Sequence, residues 1–148
     1  MKVDRAGIER LVPHRGTMCL LEEVLEWDEN TIVCRATSHR DPANPLRSGD
    51  GLAAITGVEY AAQAVAVHGG LSGEKSSGGG YLAALRDVVC SVARLDSERD
   101  DLVVSATRVA AEGGRLLYDF RLEGGGRELL RGRLSVVLVN DKSAGHGG

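Results

Sequence analysis

Ile55-Thr56-Gly57-Val58-Glu59-Tyr60-Ala61-Ala62-Gln63-Ala64-Val65-Ala66-Val67 is the stretch whose reading decides the fold. Its residues are almost all small or apolar, and Glu59 is its one charged side chain. A helix of this composition offers water no polar face and is expected to be buried on nearly all sides. An ionised carboxylate seldom goes fully buried without a partner, because desolvation costs roughly several kcal/mol. Glu59 is therefore paired, protonated, or turned toward a cavity where it does chemistry.

On the N-terminal side, residues 4–11 predict a short helix with Asp4 as its cap and Pro13 as its terminator. Thr17 to Trp27 and Thr31 to Thr37 are rich in branched residues and flank Asp28-Glu29-Asn30, which predicts a hairpin with a short polar turn. Asp41 to Gly51, with Pro42, Pro45 and two glycines, predicts the loop that delivers the chain into the helix. Gly69-Gly70 marks the helix end, and Ser72 to Gly80 reads as a flexible connection. Four more strands are predicted at Tyr81 to Ala93, Leu102 to Ala110, Arg115 to Leu122 and Glu128 to Val139. Turns at Glu112-Gly113-Gly114 and Gly124-Gly125-Gly126 are short enough for hairpins. Residues 141–148 are polar and glycine-rich, the composition of a flexible tail beyond a single domain of residues 1–140.

Length and composition narrow the function. The 148 residues suffice for one domain with a sizeable core. A net charge of −3 and the lack of a basic cluster argue against nucleic-acid binding. Cys19, Cys34 and Cys90 lie in apolar stretches without metal-ligand spacing, so buried, reduced thiols and no metal are expected. No signal-peptide run opens the sequence, and no apolar stretch is long enough to span a bilayer. A cytoplasmic protein without membrane contact is the expectation. The sum is an α+β chain: two strands, one long apolar helix, then four antiparallel strands. A curved sheet of about six strands wrapped around that helix, with a second copy over what remains, would bury it.

Three segments carry a resemblance. Leu11-Val12-Pro13-His14-Arg15-Gly16-Thr17-Met18-Cys19-Leu20-Leu21 resembles the segment that opens the first strand of β-hydroxyacyl-acyl-carrier-protein dehydratases. Gly57-Val58-Glu59-Tyr60-Ala61-Ala62-Gln63-Ala64 resembles their active-site helix, and Tyr81-Leu82-Ala83-Ala84-Leu85-Arg86-Asp87-Val88 the strand after it. In order and spacing the chain is similar to the hotdog-fold dehydratases, and most to their ApeP-like branch, associated with aryl-polyene and related fatty-acyl gene sets. That resemblance implies elimination of water from a 3-hydroxyacyl thioester to give the trans-2-enoyl thioester. The substrate would ride on the phosphopantetheine of an acyl carrier protein, or on coenzyme A, and no cofactor would be needed. Arg47, Lys75 and Arg86 are candidates for docking an acidic carrier.

The same resemblance implies roles for individual residues. Glu59 would be the general acid, its pKa raised by apolar surroundings. Backbone N–H groups near Gly57 would polarise the thioester carbonyl. Gln63, at i+4 from Glu59, would orient the acid, and Ala84 would line the substrate. The family's catalytic histidine stands fourteen residues before the glutamate, where this chain has Pro45. His39 is the nearest candidate base, the alternative being an exposed histidine at a strand end. His14 reads as a structural hydrogen-bonding group, Tyr60 as core, and His68 as a charge favourable to the helix C-terminus. His68 also lies about 180° around the helix from Glu59. A homodimer is expected, or a heteromer with a second hotdog protein. Two other readings stand beside dehydration by this chain: a non-catalytic subunit of a heteromeric dehydratase, and an acyl thioesterase.

Overall fold

The computed structural model describes residues 2–12, 18–49, 51–73 and 80–138. Pro13, His14, Lys75 and the expected tail lie outside them. Helix α1 (Arg5–Leu11) starts where the side chain of Asp4 accepts the Gly7 N–H at 2.9 Å, the cap expected from the sequence. Strands β1 (Glu23–Trp27) and β2 (Thr31–Ala36) follow, joined by a turn in which Asp28 Oδ1 accepts the N–H groups of Asn30 and Thr31. Helix α2 (Gly57–Leu71) extends a 3-10 turn at Ala54–Thr56. Then come β3 (Gly80–Cys90), β4 (Leu102–Glu112), β5 (Arg115–Gly124) and β6 (Arg127–Leu138).

All six strands form one antiparallel sheet in the order β1-β2-β4-β5-β6-β3, with α2 packed on one face: an α+β hotdog fold. Gly113 and Gly114, and again Gly125 and Gly126, carry the consecutive positive φ values that two-residue hairpins require. The first strand is shorter than its sequence suggested, because residues 18–20 are tied to the helix instead.

Alternation along β5 separates two faces. Leu116, Tyr118, Phe120 and Leu122 are buried, and the Tyr118 hydroxyl reaches His68 of α2. Leu117, Asp119 and Arg121 lie on the other, outer face. Helix α2 contacts β2, β4 and β5, and α1 closes the β1 end of this layer. At the opposite edge, β3 pairs only with β6 and presents Leu82, Leu85 and Val89 with 36–42% of their surface exposed.

Two expectations change here. Helix α2 is not enclosed all round: Ile55 just before it, and Glu59, Ala66 and Gly70 along it, form an exposed stripe. Periodicity gives no sign of this stripe, because alanine and glycine are apolar yet tolerate exposure. Cys19 and Cys34 are buried as expected, but Cys90 is exposed, since it ends an edge strand that nothing among the described residues covers.

The helix lies close to the sheet at Gly57, where an added Cβ would stand 2.2 Å from Leu130 Cδ2 and 3.0 Å from Leu122 Cδ2. Gly57→Ala is therefore expected to cost about 1–3 kcal/mol through overpacking. A Cβ on Gly69, twelve residues on, meets nothing within 4 Å, so Gly69→Ala should gain up to about 1 kcal/mol from helix propensity. Urea midpoints of the two variants should move in opposite directions.

Candidate functional site

Glu59 sits in the first turn of α2 with its side chain exposed, on the stripe that runs from Ile55 to Gly70. It is the only carboxylate of the helix, and its neighbours along the stripe are aliphatic or glycine. Among the described residues none encloses its side chain, which faces solvent.

The backbone around Glu59 is held from several directions. Gln63 is buried, and its amide is used at both ends: Nε2 donates to Met18 O at 2.6 Å, and Oε1 accepts from Leu20 N at 2.8 Å. It pins residues 18–20 to the helix, and among the described residues no hydrogen bond joins it to Glu59. Tyr60, fully buried as expected of a core residue, places its hydroxyl 2.8 Å from Ser38 Oγ and accepts from Asn44 Nδ2 at 3.0 Å. Asn44 also donates to Ser38 O, and its Oδ1 accepts from Leu46 N. The loop carrying Pro45 is thereby fastened to the residue next to Glu59. Nothing in the sequence beyond an asparagine in a proline loop advertised this clamp.

Further along the loop, Asp96 Oδ1 accepts the Leu52 N–H at 2.9 Å, and Arg94 grips the same carboxylate at 2.6 Å. The Arg94 guanidinium holds the Asp96 carboxyl well below the usual carboxylate range. Arg47, expected as a docking residue, stands 4.0 Å from Asp96. The Gly57 N–H, expected to face a thioester, donates inside the helix to Ala54 O and Ile55 O. The 3-10 turn moves the true start of the helical stretch back to Ala54.

His39 has a different environment from Glu59. It lies in a 3-10 turn after β2 and is fully buried, with Nε2 at 3.1 Å from Glu98 O and 2.9 Å from Asp100 O. Carbonyl oxygens only accept, so Nε2 carries the proton and Nδ1 is bare. Nδ1 is buried and has no hydrogen-bond partner. Among the described residues no hydrogen bond joins His39 to Glu59. His68, expected as a charge at the helix end, is instead fully buried, with Nδ1 2.6 Å from Tyr118 Oη and Nε2 2.8 Å from Asp28 O. The long apolar run hid a histidine whose partners come from β5 and the β1–β2 turn. Ala84 is on the edge strand, opposite Ser135 on the outer face, and away from Glu59's side of the sheet. Among the described residues no three His, Cys, Asp or Glu side chains are grouped to hold a metal ion, and no helix is long and apolar enough to cross a membrane.

The ApeP-like family of ApeP dehydratases matches residues 6–145. No curated protein matches the chain in sequence. Among solved structures, the dehydratase heterocomplex ApeI:P from Xenorhabdus doucetiae has a chain of 26% identity and TM-score 0.80, with 94% of this chain and 95% of that one covered. A thioesterase from Haemophilus influenzae shares the fold at 13% identity and TM-score 0.67, with 93% and 92% covered. AziG from S. sahachiroi does so at 14% identity and TM-score 0.65, with 88% and 99% covered.

Burial is the main cause that lowers the His39 pKa from its usual value near 6.5. The folded protein therefore resists a proton that the unfolded chain accepts. Stability from this group is complete above about pH 6.5 and declines as pH falls below it. His39→Gln should lose about 1–3 kcal/mol at pH 7.5, where its hydrogen bonds are intact in the wild type. The gap between wild type and variant should narrow as urea midpoints are measured from pH 6.5 toward pH 5.

Proposed function

The chain belongs to the ApeP-like dehydratase family, and from that premise we propose that it is one subunit of a heteromeric 3-hydroxyacyl-thioester dehydratase in which Glu59 is the general acid. The observation that carries this reading is the position of Glu59: a lone carboxylate on an exposed apolar stripe. A second hotdog subunit laid over that stripe would exclude water from the carboxyl group and favour its protonated form. The heterocomplex of the similar Xenorhabdus doucetiae protein supports a partner of that kind.

Dehydration needs three services. A base takes a proton from C2, an acid delivers one to the C3 hydroxyl as the C–O bond breaks, and N–H donors hold the negative charge that grows on the thioester oxygen. Water and the trans-2-enoyl thioester leave. Glu59 suits the second service. For the first, His39 offers a buried ring whose Nε2 proton is committed to two carbonyls. We assign it to holding residues 98–100 and assign the base to the partner subunit. The substrate then reaches Glu59 along the aliphatic stripe, on a phosphopantetheine arm of a carrier protein or coenzyme A. Its cytoplasmic setting and its place among aryl-polyene or related acyl pathways belong to the same proposal.

The experiment is turnover of a 3-hydroxyacyl-carrier thioester by the chain alone, by its complex with the second subunit, and by the complex carrying Glu59→Gln. Enoyl product from the complex, none from the chain alone, and a loss of about 10²-fold or more in the variant is the expected pattern. An undiminished rate in a Glu59→Gln complex that still assembles would sink the acid assignment. Release of free acid without enoyl product would make the protein a thioesterase instead.

A further inference from the structure

The outer face of the sheet holds a cavity of about 290 Å³ that the dehydratase reading leaves unused. Its floor runs across four strands through Ala110, Leu117, Ser135 and Ala84, which are successive cross-strand neighbours. Arg86 and Arg133 wall one side, and Arg115 with Glu112 the other. Small apolar residues between charged walls make a trough with a dry bottom.

Two features of this trough ask for an anion. The first is Ser135, which is 5% exposed and whose Oγ has no hydrogen-bond partner. A buried hydroxyl left unpaired costs free energy, and native structures seldom leave one without a reason. The second is that Arg86 and Arg133 stand directly opposite each other on β3 and β6. Like charges in such a pair repel. Asp119 takes the Nε and Nη2 protons of Arg133 at 2.7 and 3.3 Å, which leaves Nη1 available for a second acceptor. Arg86 is exposed and makes no ion pair among the described residues.

The charge count sets the ligand. Taken with the adjoining cavity, Arg86, Arg133, Arg121 and Arg131 stand among three carboxylates, Asp87, Asp119 and Glu128, so a single negative charge completes the balance. Asp87 lines the adjoining cavity and its charge also reaches Arg133, while Arg121 and Arg131 share Glu128 between them. A monoanion with an apolar stem fits, because the floor beyond Ser135 offers only Leu117 and Ala110. From β6 to β4 is roughly 10 Å, the reach of a medium-length acyl chain.

We propose that this trough binds a medium-chain carboxylic acid: its carboxylate bridges Arg86 and Arg133 and accepts the Ser135 hydroxyl proton, and its acyl chain lies across Leu117 and Ala110. The site is on the opposite face of the sheet from Glu59 and does not depend on the chain's being a dehydratase. Calorimetric titration with octanoate tests it, with octanol and acetate as probes that lack the charge and the chain respectively. Octanoate should bind, and both other probes at least tenfold more weakly. Arg86→Ala should weaken octanoate about tenfold and Ser135→Ala several-fold, at unchanged melting temperature for Arg86→Ala, while Glu59→Gln leaves it unaltered. No detectable octanoate binding, equal binding of octanol, or an affinity that ignores Arg86→Ala and falls with Glu59→Gln would each overturn the proposal.

Discussion

One helix cannot cover six strands. A 15-residue helix is about 22 Å long and about 10 Å across, whereas six strands at about 4.8 Å spacing span roughly 24 Å between their outermost members. Helix α2 lies over β2, β4 and β5, and α1 closes the β1 end. The β6–β3 end has no comparable cover. From this mismatch follow the exposure of Leu82 and Leu85 on the helix side of an unpaired edge and the exposed stripe on α2. Edge strands of this length and apolarity invite pairing, and monomeric proteins blunt them. This one is blunted in part, by two register shifts and by the charged residues Arg86 and Asp87, and still leaves Leu82, Leu85 and Val89 exposed.

The exposed stripe places Glu59 where a second subunit can enclose it. Around it the chain is firmly held. Gly57 lets the helix start press onto Leu122 and Leu130, Gln63 fastens residues 18–20, and Tyr60 fastens the loop at Asn44. At the other end His68 joins the helix to Tyr118 and Asp28 from the opposite side. A carboxyl group that must meet a substrate in one geometry benefits from neighbours that do not move.

Much of this was legible beforehand. The helix, the six strands, both glycine hairpins and the Asp4 cap follow from periodicity and turn chemistry, and their observed bounds differ by a few residues. Strand order was not legible, since composition does not say that β3 crosses to the far edge. Nor was the environment of single polar residues. Gln63 shares a face with Glu59 by spacing, yet its hydrogen bonds run to backbone groups more than forty positions away in sequence. His39 reads as a surface residue between Ser38 and Arg40, yet it is buried by a loop sixty residues on. Periodicity reports which face a residue is on, and tertiary partners decide what it does there.

Pro45 gives the last step. A loop that must supply a base needs a titratable side chain and room for it to approach substrate. Here the loop has proline at that position, and the preceding Asn44 turns inward to spend its side chain on Tyr60, Ser38 and Leu46. Three hydrogen bonds to one buried amide stiffen the segment in a shape that has no catalytic purpose of its own. The loop is therefore a fixed support for the first turn of α2, tied through Asn44 to the residue next to Glu59.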